Sequence, residues 1–321
     1  MGRNHARVLS ELPNVELVSV CDMDISTARV VASRHHAKAF SDFREMLDAI
    51  RPEAVTIAVP TAFHEEVALT ALDAGAHILV EKPIAASLEA SRAIIEKARA
   101  YQLQLMVGHI VRFNPAMQQL KERLQQGELG RIFQIVSRRV GPFPTRVNDV
   151  GVVIDLAPHD IDMMRYLTGM EPIRLYCETE KRIHTEHEDL LLGLLRFENG
   201  VTGCLEINWL TPTKVREVIV LGERGMFRVD DLTQDLYFYE NAEVGRNYWP
   251  ELQTLKGVSE GSMTRYALQR YEPLKAELQA FVHAIRSGEP MPVSGEDALA
   301  ALRLALALVE SGRTHRVIEV G

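Results

Sequence analysis

Residues 71–85 read Ala-Leu-Asp-Ala-Gly-Ala-His-Ile-Leu-Val-Glu-Lys-Pro-Ile-Ala. A helix over Glu65–Ala74 is stopped by Gly75, and His77–Val80 follows as a strand that is apolar throughout. A short strand with no polar face must be covered on both sides, which is the condition of a parallel sheet between helix layers. The alternation continues in both directions. Upstream lie strands at Val15–Cys21, Ala37–Phe40 and Val55–Val59, with helices at Ile25–His35 (Asp24 as N-cap) and Phe43–Ile50. Downstream come a helix at Leu88–Ala100, with Ser87 placed to cap it, and a strand at Leu103–Gly108. The first part of the chain is therefore expected to be an α/β domain.

Beyond about residue 115 the texture changes. A helix over Pro115–Gln126 leads into a strand, Ile132–Val140, and a helical segment, Asp155–Leu167. Alternating strands then follow at 174–182, 190–197, 202–210, 216–222, 225–230 and 235–239, linked by turns such as Glu198-Asn199-Gly200. Amphipathic helices over 271–286 and 296–311 return to cover the fold. The expectation is two domains, 1–114 and 115–321, the second an α+β domain built on an open antiparallel sheet. A sheet with an uncovered apolar face further suggests a homodimer or homotetramer.

Composition narrows the function. Hydrophobic residues make up 46% and charged residues 25% of 321, with net charge −8. No Lys/Arg-rich stripe exists to track a phosphate backbone, so nucleic acid is not an expected partner. The longest apolar runs fall far short of the roughly 20 residues of a membrane span, and no signal pattern opens the chain. A cytoplasmic protein is expected. The scattered Cys21, Cys177 and Cys204 lack metal-ligand spacing. The polar run His184–Asp189 reads as a loop, and no metal is expected.

Three constellations carry chemistry. Met1-Gly2-Arg3-Asn4 enters a helix directly from a glycine, and Asp22 stands twenty residues after Gly2 at a strand end. That spacing is the back half of a dinucleotide fingerprint, in which the carboxylate accepts from ribose hydroxyls. Val59-Pro60-Thr61 with His64, and Glu81-Lys82-Pro83, end two further strands. Ligands of open α/β sheets bind at such carboxyl ends. Lys82 there is either a solvated loop residue or a cation that stabilises a developing alkoxide. Asp155 and His159 are four apart and share a helix face, with Asp155 just before the helix proper because Pro158 suits only a first turn. A capping aspartate and a core histidine would give the same pattern.

Taken together, Glu81-Lys82-Pro83, Asp155…His159, residues 71–85 and Gly108–Pro115 resemble the glucose-fructose oxidoreductase / inositol dehydrogenase (Gfo/Idh/MocA) family across essentially the whole chain. The resemblance implies a Rossmann dinucleotide-binding domain followed by the α+β domain, and an NAD(P)-dependent dehydrogenase acting on CH–OH groups. It implies His159 as general acid/base, Lys82 polarising the substrate oxygen and tuning the histidine, and Asp155 orienting both. Cofactor contacts are expected from Gly2, Arg3, Asn4, Asp22, Pro60, Thr61, His64, Glu81, Lys82 and Arg112. Asp22 favours NAD over NADP, since a carboxylate repels a 2′-phosphate and Arg29 lies a turn into the next helix. Within the family, Gly108–Ala116, Arg139–Leu156, Glu188-Asp189 and Asn208–Arg216 resemble a branch that oxidises UDP-N-acetylglucosamine at its 3-hydroxyl. Substrate contacts are then expected from Arg112, Asn114, Arg146, Asp155, Lys214 and Arg216, with guanidinium groups suited to a diphosphate.

Other expectations stay open beside this one: a cyclitol or free-hexose dehydrogenase, an NAD-dependent glycosidase, or a non-catalytic dinucleotide-binding protein. The strand and first two glycines of G-x-G-x-x-G do not precede Gly2. The chain as written is therefore expected to be N-terminally truncated and to bind NAD or fold poorly, whereas one extended by about a dozen residues would bind it.

Overall fold

The computed structural model describes residues 1–144, 150–183, 186–243 and 258–321. Two compact units emerge: residues 1–113 with 272–303, and residues 114–271 with 304–321.

In the first unit, α1 (Gly2–Glu11) precedes the alternation β1 (Ser19–Cys21), α2 (Ile25–Arg34), β2 (Lys38–Phe40), α3 (Phe43–Ile50), β3 (Ala54–Ile57), α4 (His64–Asp73), β4 (His77–Glu81), α5 (Leu88–Ala100) and β5 (Leu105–Gly108). Helix starts follow local chemistry. Asp24 accepts from Ser26 N at 2.9 Å, Asp42 from Arg44 N at 2.7 Å, and Ser87 from Ala90 N at 3.1 Å. All strand pairing here is parallel, but in two sheets, β1–β2 and β3–β4–β5. Ile78, Leu79 and Val80 of β4 are wholly buried. At about 1.5–3 kcal/mol each, such side chains drive the layering that the apolar run announced. The expected strand Val15–Cys21 shrinks to its last three residues, because β1 has a ladder partner only along Lys38–Phe40.

The second unit contains α6 (Pro115–Gln125), β6 (Ile132–Pro142), α7 (Val152–Thr168), β7 (Pro172–Glu180), β8 (Leu190–Phe197), β9 (Thr202–Asn208), β10 (Leu210–Gly222), β11 (Gly225–Asp230), β12 (Asp235–Glu243) and β13 (Val258–Arg265). The helices α8 (Pro273–Ser287) and α9 (Gly295–Thr314) and the short β14 (Ile318–Glu319) complete the chain. The sheet has the order β13-β12-β11-β10-β6-β9-β8-β7-β14. It is antiparallel except for β6 and β9, which run parallel from Gln134↔Thr202 to Val140↔Asn208. The expected open antiparallel sheet thus forms with one parallel pair inside it, for alternation along a strand encodes its faces and not its direction. On β8, Leu191, Gly193, Leu195 and Phe197 face inward while Leu192, Leu194 and Arg196 face out.

The start of α7 also differs from expectation. The helix begins at Val152, so Asp155 lies in its first turn and Pro158 inside it. The cause is Glu188, whose carbonyl accepts Val152 N at 2.8 Å and whose carboxylate accepts Val153 N at 3.3 Å. Satisfying these amides from outside lets the helix begin almost two turns ahead of its proline. Gly151 permits the approach, since a Cβ there would fall inside the Glu188 carboxylate. Among the described residues no helix is long and apolar enough to cross a membrane.

Candidate active site

The first unit gathers its chemical groups at strand ends. Asp22 follows β1 as an exposed carboxylate whose Oδ1 accepts Asp24 N at 3.0 Å. The other oxygen remains available to a ribose hydroxyl, the donor–acceptor match expected of a dinucleotide's adenosine end. Gly2, Arg3 and Asn4 form the exposed first turn of α1. Pro60 and Thr61 follow β3 and open a 3₁₀ turn, Thr61–Phe63.

His64 is buried, and its ring serves a structural purpose. Nδ1 faces Pro83 O at 2.8 Å and Nε2 faces Val59 O at 2.9 Å. The ring thereby ties the end of β3 to the Glu81-Lys82-Pro83 turn after β4. Glu81 is mostly buried, with His5 Nε2 of α1 2.9 Å from its Oε1. Lys82 comes next in the chain and is half-buried. Arg112 lies in a second 3₁₀ turn, Ile110–Phe113, and is buried; its Nη1 donates to Pro292 O at 3.3 Å and Asp297 Oδ2 at 3.2 Å.

In the second unit the site rests on α7. Asp155 is buried in its first turn and His159, one turn on, is half-buried. The helix spacing sets both on one face, as a shared substrate would require. Beneath them lies a charged cluster. Arg139 Nε donates to the two oxygens of Asp160 at 2.9 and 2.8 Å, and Ser137 Oγ donates to the same carboxylate at 2.6 Å. Arg216 stands directly across the β6–β10 ladder from Arg139 and donates to Val140 O at 2.7 Å and Val215 O at 2.8 Å.

Burial, and next the neighbouring Arg139 charge, push the Arg216 guanidinium down to about 10. Burial opposes the charge on Arg139 as well, but the carboxylates of Asp160, Asp231 and Asp155 outweigh it and raise its pKa. Asp231 itself is raised, by burial first. Asp155 is thus one of three acids sharing a buried field with two guanidinium groups.

The remaining substrate candidates divide. Lys214 is exposed on β10, with its Cα close to Gly141. Asn114 is committed to structure: its Oδ1 caps α6 by accepting Ala116 N at 2.9 Å, and its Nδ2 donates to Asp231 O at 2.9 Å. Arg146 and His184 lie outside the described residues. Sequence reasoning passed over the pairing of Arg139 with Asp160, and over His5 and Glu277. Glu277 had a signal: it falls in the apolar i, i+3, i+4, i+7 register with Leu274, Leu278 and Phe281.

Comparison with known proteins follows the same division of the chain. Residues 1–109 match the model of an oxidoreductase family with an NAD-binding Rossmann fold, and residues 117–228 match the C-terminal domain of the same family, Gfo/Idh/MocA. The UDP-N-acetylglucosamine 3-dehydrogenase of Acidithiobacillus ferrooxidans is 28% identical over 97% of this chain and 95% of its own. Its solved structure superposes with a TM-score of 0.83 at 27% identity, covering 97% and 94% of the two chains. The myo-inositol 2-dehydrogenase of Thermotoga maritima is 26% identical over 100% and 96%. Scyllo-inositol dehydrogenase from Lactobacillus casei, solved with NAD(H) and scyllo-inositol, shares the fold with a TM-score of 0.81 at 23% identity, covering 99% and 95%.

Proposed function

The chain belongs to the Gfo/Idh/MocA oxidoreductase family, and we propose that within it the protein uses NAD to oxidise the 3-hydroxyl of UDP-N-acetylglucosamine. The observation that carries the chemistry is the pair Asp155 and His159, one turn apart at the start of α7. The choice of substrate is supported by similarity along nearly the whole length to an enzyme of that name.

When bound, NAD supplies the hydride acceptor. The protein's own groups do the rest. His159 takes the hydroxyl proton as the carbinol hydrogen departs as hydride, leaving a ketone. Lys82 stabilises the oxygen as negative charge develops on it. Asp155 orients the hydroxyl and the imidazole, while Lys214 and Arg216 meet the diphosphate, and Arg146 belongs to the same proposed set. Purified full-length protein with NAD is expected to form NADH on UDP-N-acetylglucosamine. Activity confined to myo-inositol, which similarity to inositol dehydrogenases also allows, would move the substrate to the cyclitols.

Asp22 is proposed to hold the adenosine ribose. Asp22→Ser should raise the KM for NAD by about 10–10²-fold, the loss of one charge-assisted hydrogen bond of roughly 1.5–3 kcal/mol. It should also improve the use of NADP. Steady-state kinetics with both cofactors check this, and unchanged constants would remove Asp22 from the site.

We also propose a homodimer or homotetramer. Leu192 and Leu194, 52% and 51% exposed on the outer face of β8, are the kind of surface that self-association covers. Light scattering should return a multiple of the chain mass, reduced to a monomer by Leu192→Lys with Leu194→Lys.

A further inference from the structure

Lys82 stands between two residues that buried histidines meet. Before it, Glu81 ends β4, and Nε2 of His5 lies 2.9 Å from its Oε1. After it, the carbonyl of Pro83 faces Nδ1 of His64 at 2.8 Å. Both rings are buried, so water does not compete for either contact.

The first contact has only one chemical form. A carboxylate accepts, so the His5 ring must carry a hydrogen on Nε2 whatever its charge. Its other nitrogen, Nδ1, is buried with no hydrogen-bond partner among the described residues. The polar commitment of this ring is therefore to Glu81. On its far side the Glu81 carboxylate lies close over Gly108, its partner on β5, where an added Cβ would stand 3.2 Å from Oε2 and 3.4 Å from Cδ. Glu81 is thus held between α1 and β5.

The position of His5 in the chain gives this contact its interest. It follows Gly2, Arg3 and Asn4, the turn of α1 proposed to meet NAD. That turn lies at the end of β3, since a Cβ on Gly2 would stand 3.9 Å from the Cβ of Ala58. One helical turn therefore touches the end of β3 and, through His5, the end of β4.

We infer that His5 is a positioning residue for Lys82: by donating to Glu81 it fixes the backbone from which Lys82 projects and ties it to the first turn of α1. His64 holds the residue on the other side. This role rests on the proposed role of Lys82 at the substrate oxygen.

Four variants of the full-length protein test it: H5L, H5Q, H5N and K82M. Glutamine can bring its amide N–H close to the place of Nε2, asparagine stops one bond short, and leucine has no donor. H5L and H5N are expected to lower kcat by about tenfold, less than the roughly 10²-fold that a 1 Å misplacement can cost. H5Q should recover most of that loss. In the K82M background H5L should lower kcat no further, because a residue that acts through Lys82 has nothing left to position. A second readout uses neither NAD nor sugar. Acetylation of Lys82 by acetic anhydride, followed by peptide mass mapping, should be faster in H5L and H5N and near wild type in H5Q, with the other lysines unchanged.

An active wild type and an impaired K82M, with H5L unchanged in kcat and labelling, overturn the inference alone. So does an equal further loss of kcat in the K82M background, or faster labelling at every lysine, either of which makes His5 a general structural residue. A wild type without activity, or K82M as active as wild type, overturns the functional reading and the inference with it. Should H5L fail to fold, the other two substitutions decide: H5Q close to wild type with H5N impaired supports the inference, and equal behaviour overturns it.

Discussion

Replacing His159 by Ala, or Lys82 by Met, is expected to leave a folded protein whose kcat is lower by about 10²–10⁴-fold, the usual contribution of a positioned acid–base group. Folding should survive both changes. His159 is half-buried on a helix, and alanine is the residue that costs a helix least. Methionine keeps the unbranched stem of Lys82 and removes only its ammonium. The two variants should separate in character. Loss of a group that acts only as charge develops lowers kcat and kcat/KM together. If either variant kept wild-type kcat with an unchanged circular dichroism spectrum, that residue would have no part in the chemical step.

The second large effect lies beneath the site. Asp160→Ala should destabilise the second unit by about 3–5 kcal/mol, because it strands the buried Arg139 charge. Arg139 and Asp160 side chains are only 8% and 1% exposed, and Asp160 is also the acceptor for Ser137 Oγ. Arg216 faces Arg139 across the ladder, so removing the acid leaves two guanidinium groups opposed. The double variant Arg139→Met, Asp160→Leu should recover most of the loss, since an apolar pair of similar volume no longer carries a desolvated charge. Urea denaturation of the single and double variants measures both statements. Equal destabilisation of the two would show that packing, and not the charge pair, holds this region.

Much of the fold is legible in the chain. The strands β3, β4 and β5 of the first unit carry short, mostly apolar runs, and the sequence marks both ends of Leu88–Ala100 and its Ser87 cap. What was illegible depends on partners remote in sequence. Val15–Val18 has strand-forming residues but no ladder beyond β2, while β10 reaches back to Leu210 through an irregular register that Pro212 conceals. The two-residue β14 exists only because β7 offers an edge.

The candidate site divides in the same way. Lys82, Asp155 and His159, the proposed catalytic residues, stand in short local patterns that a linear reading can single out. The early start of α7 depends on Glu188, thirty-six residues beyond Val152, and the commitment of Asn114 to Asp231 spans 117 residues. Neither pairing has a local signature. Glu277 is the intermediate case: its helical register declares it inward-facing, but only the packed unit shows that no hydrogen-bond partner among the described residues meets its carboxylate.

Hydride transfer from a sugar hydroxyl to NAD is proposed to depend on His159. It is tested by incubating purified full-length protein with NAD and UDP-N-acetylglucosamine, following nicotinamide reduction and product mass together, beside the His159→Ala variant. One NADH is expected for each keto sugar formed, and little of either from the variant. Cleavage of a glycosidic bond without net NADH, or equal turnover by the variant, would contradict it.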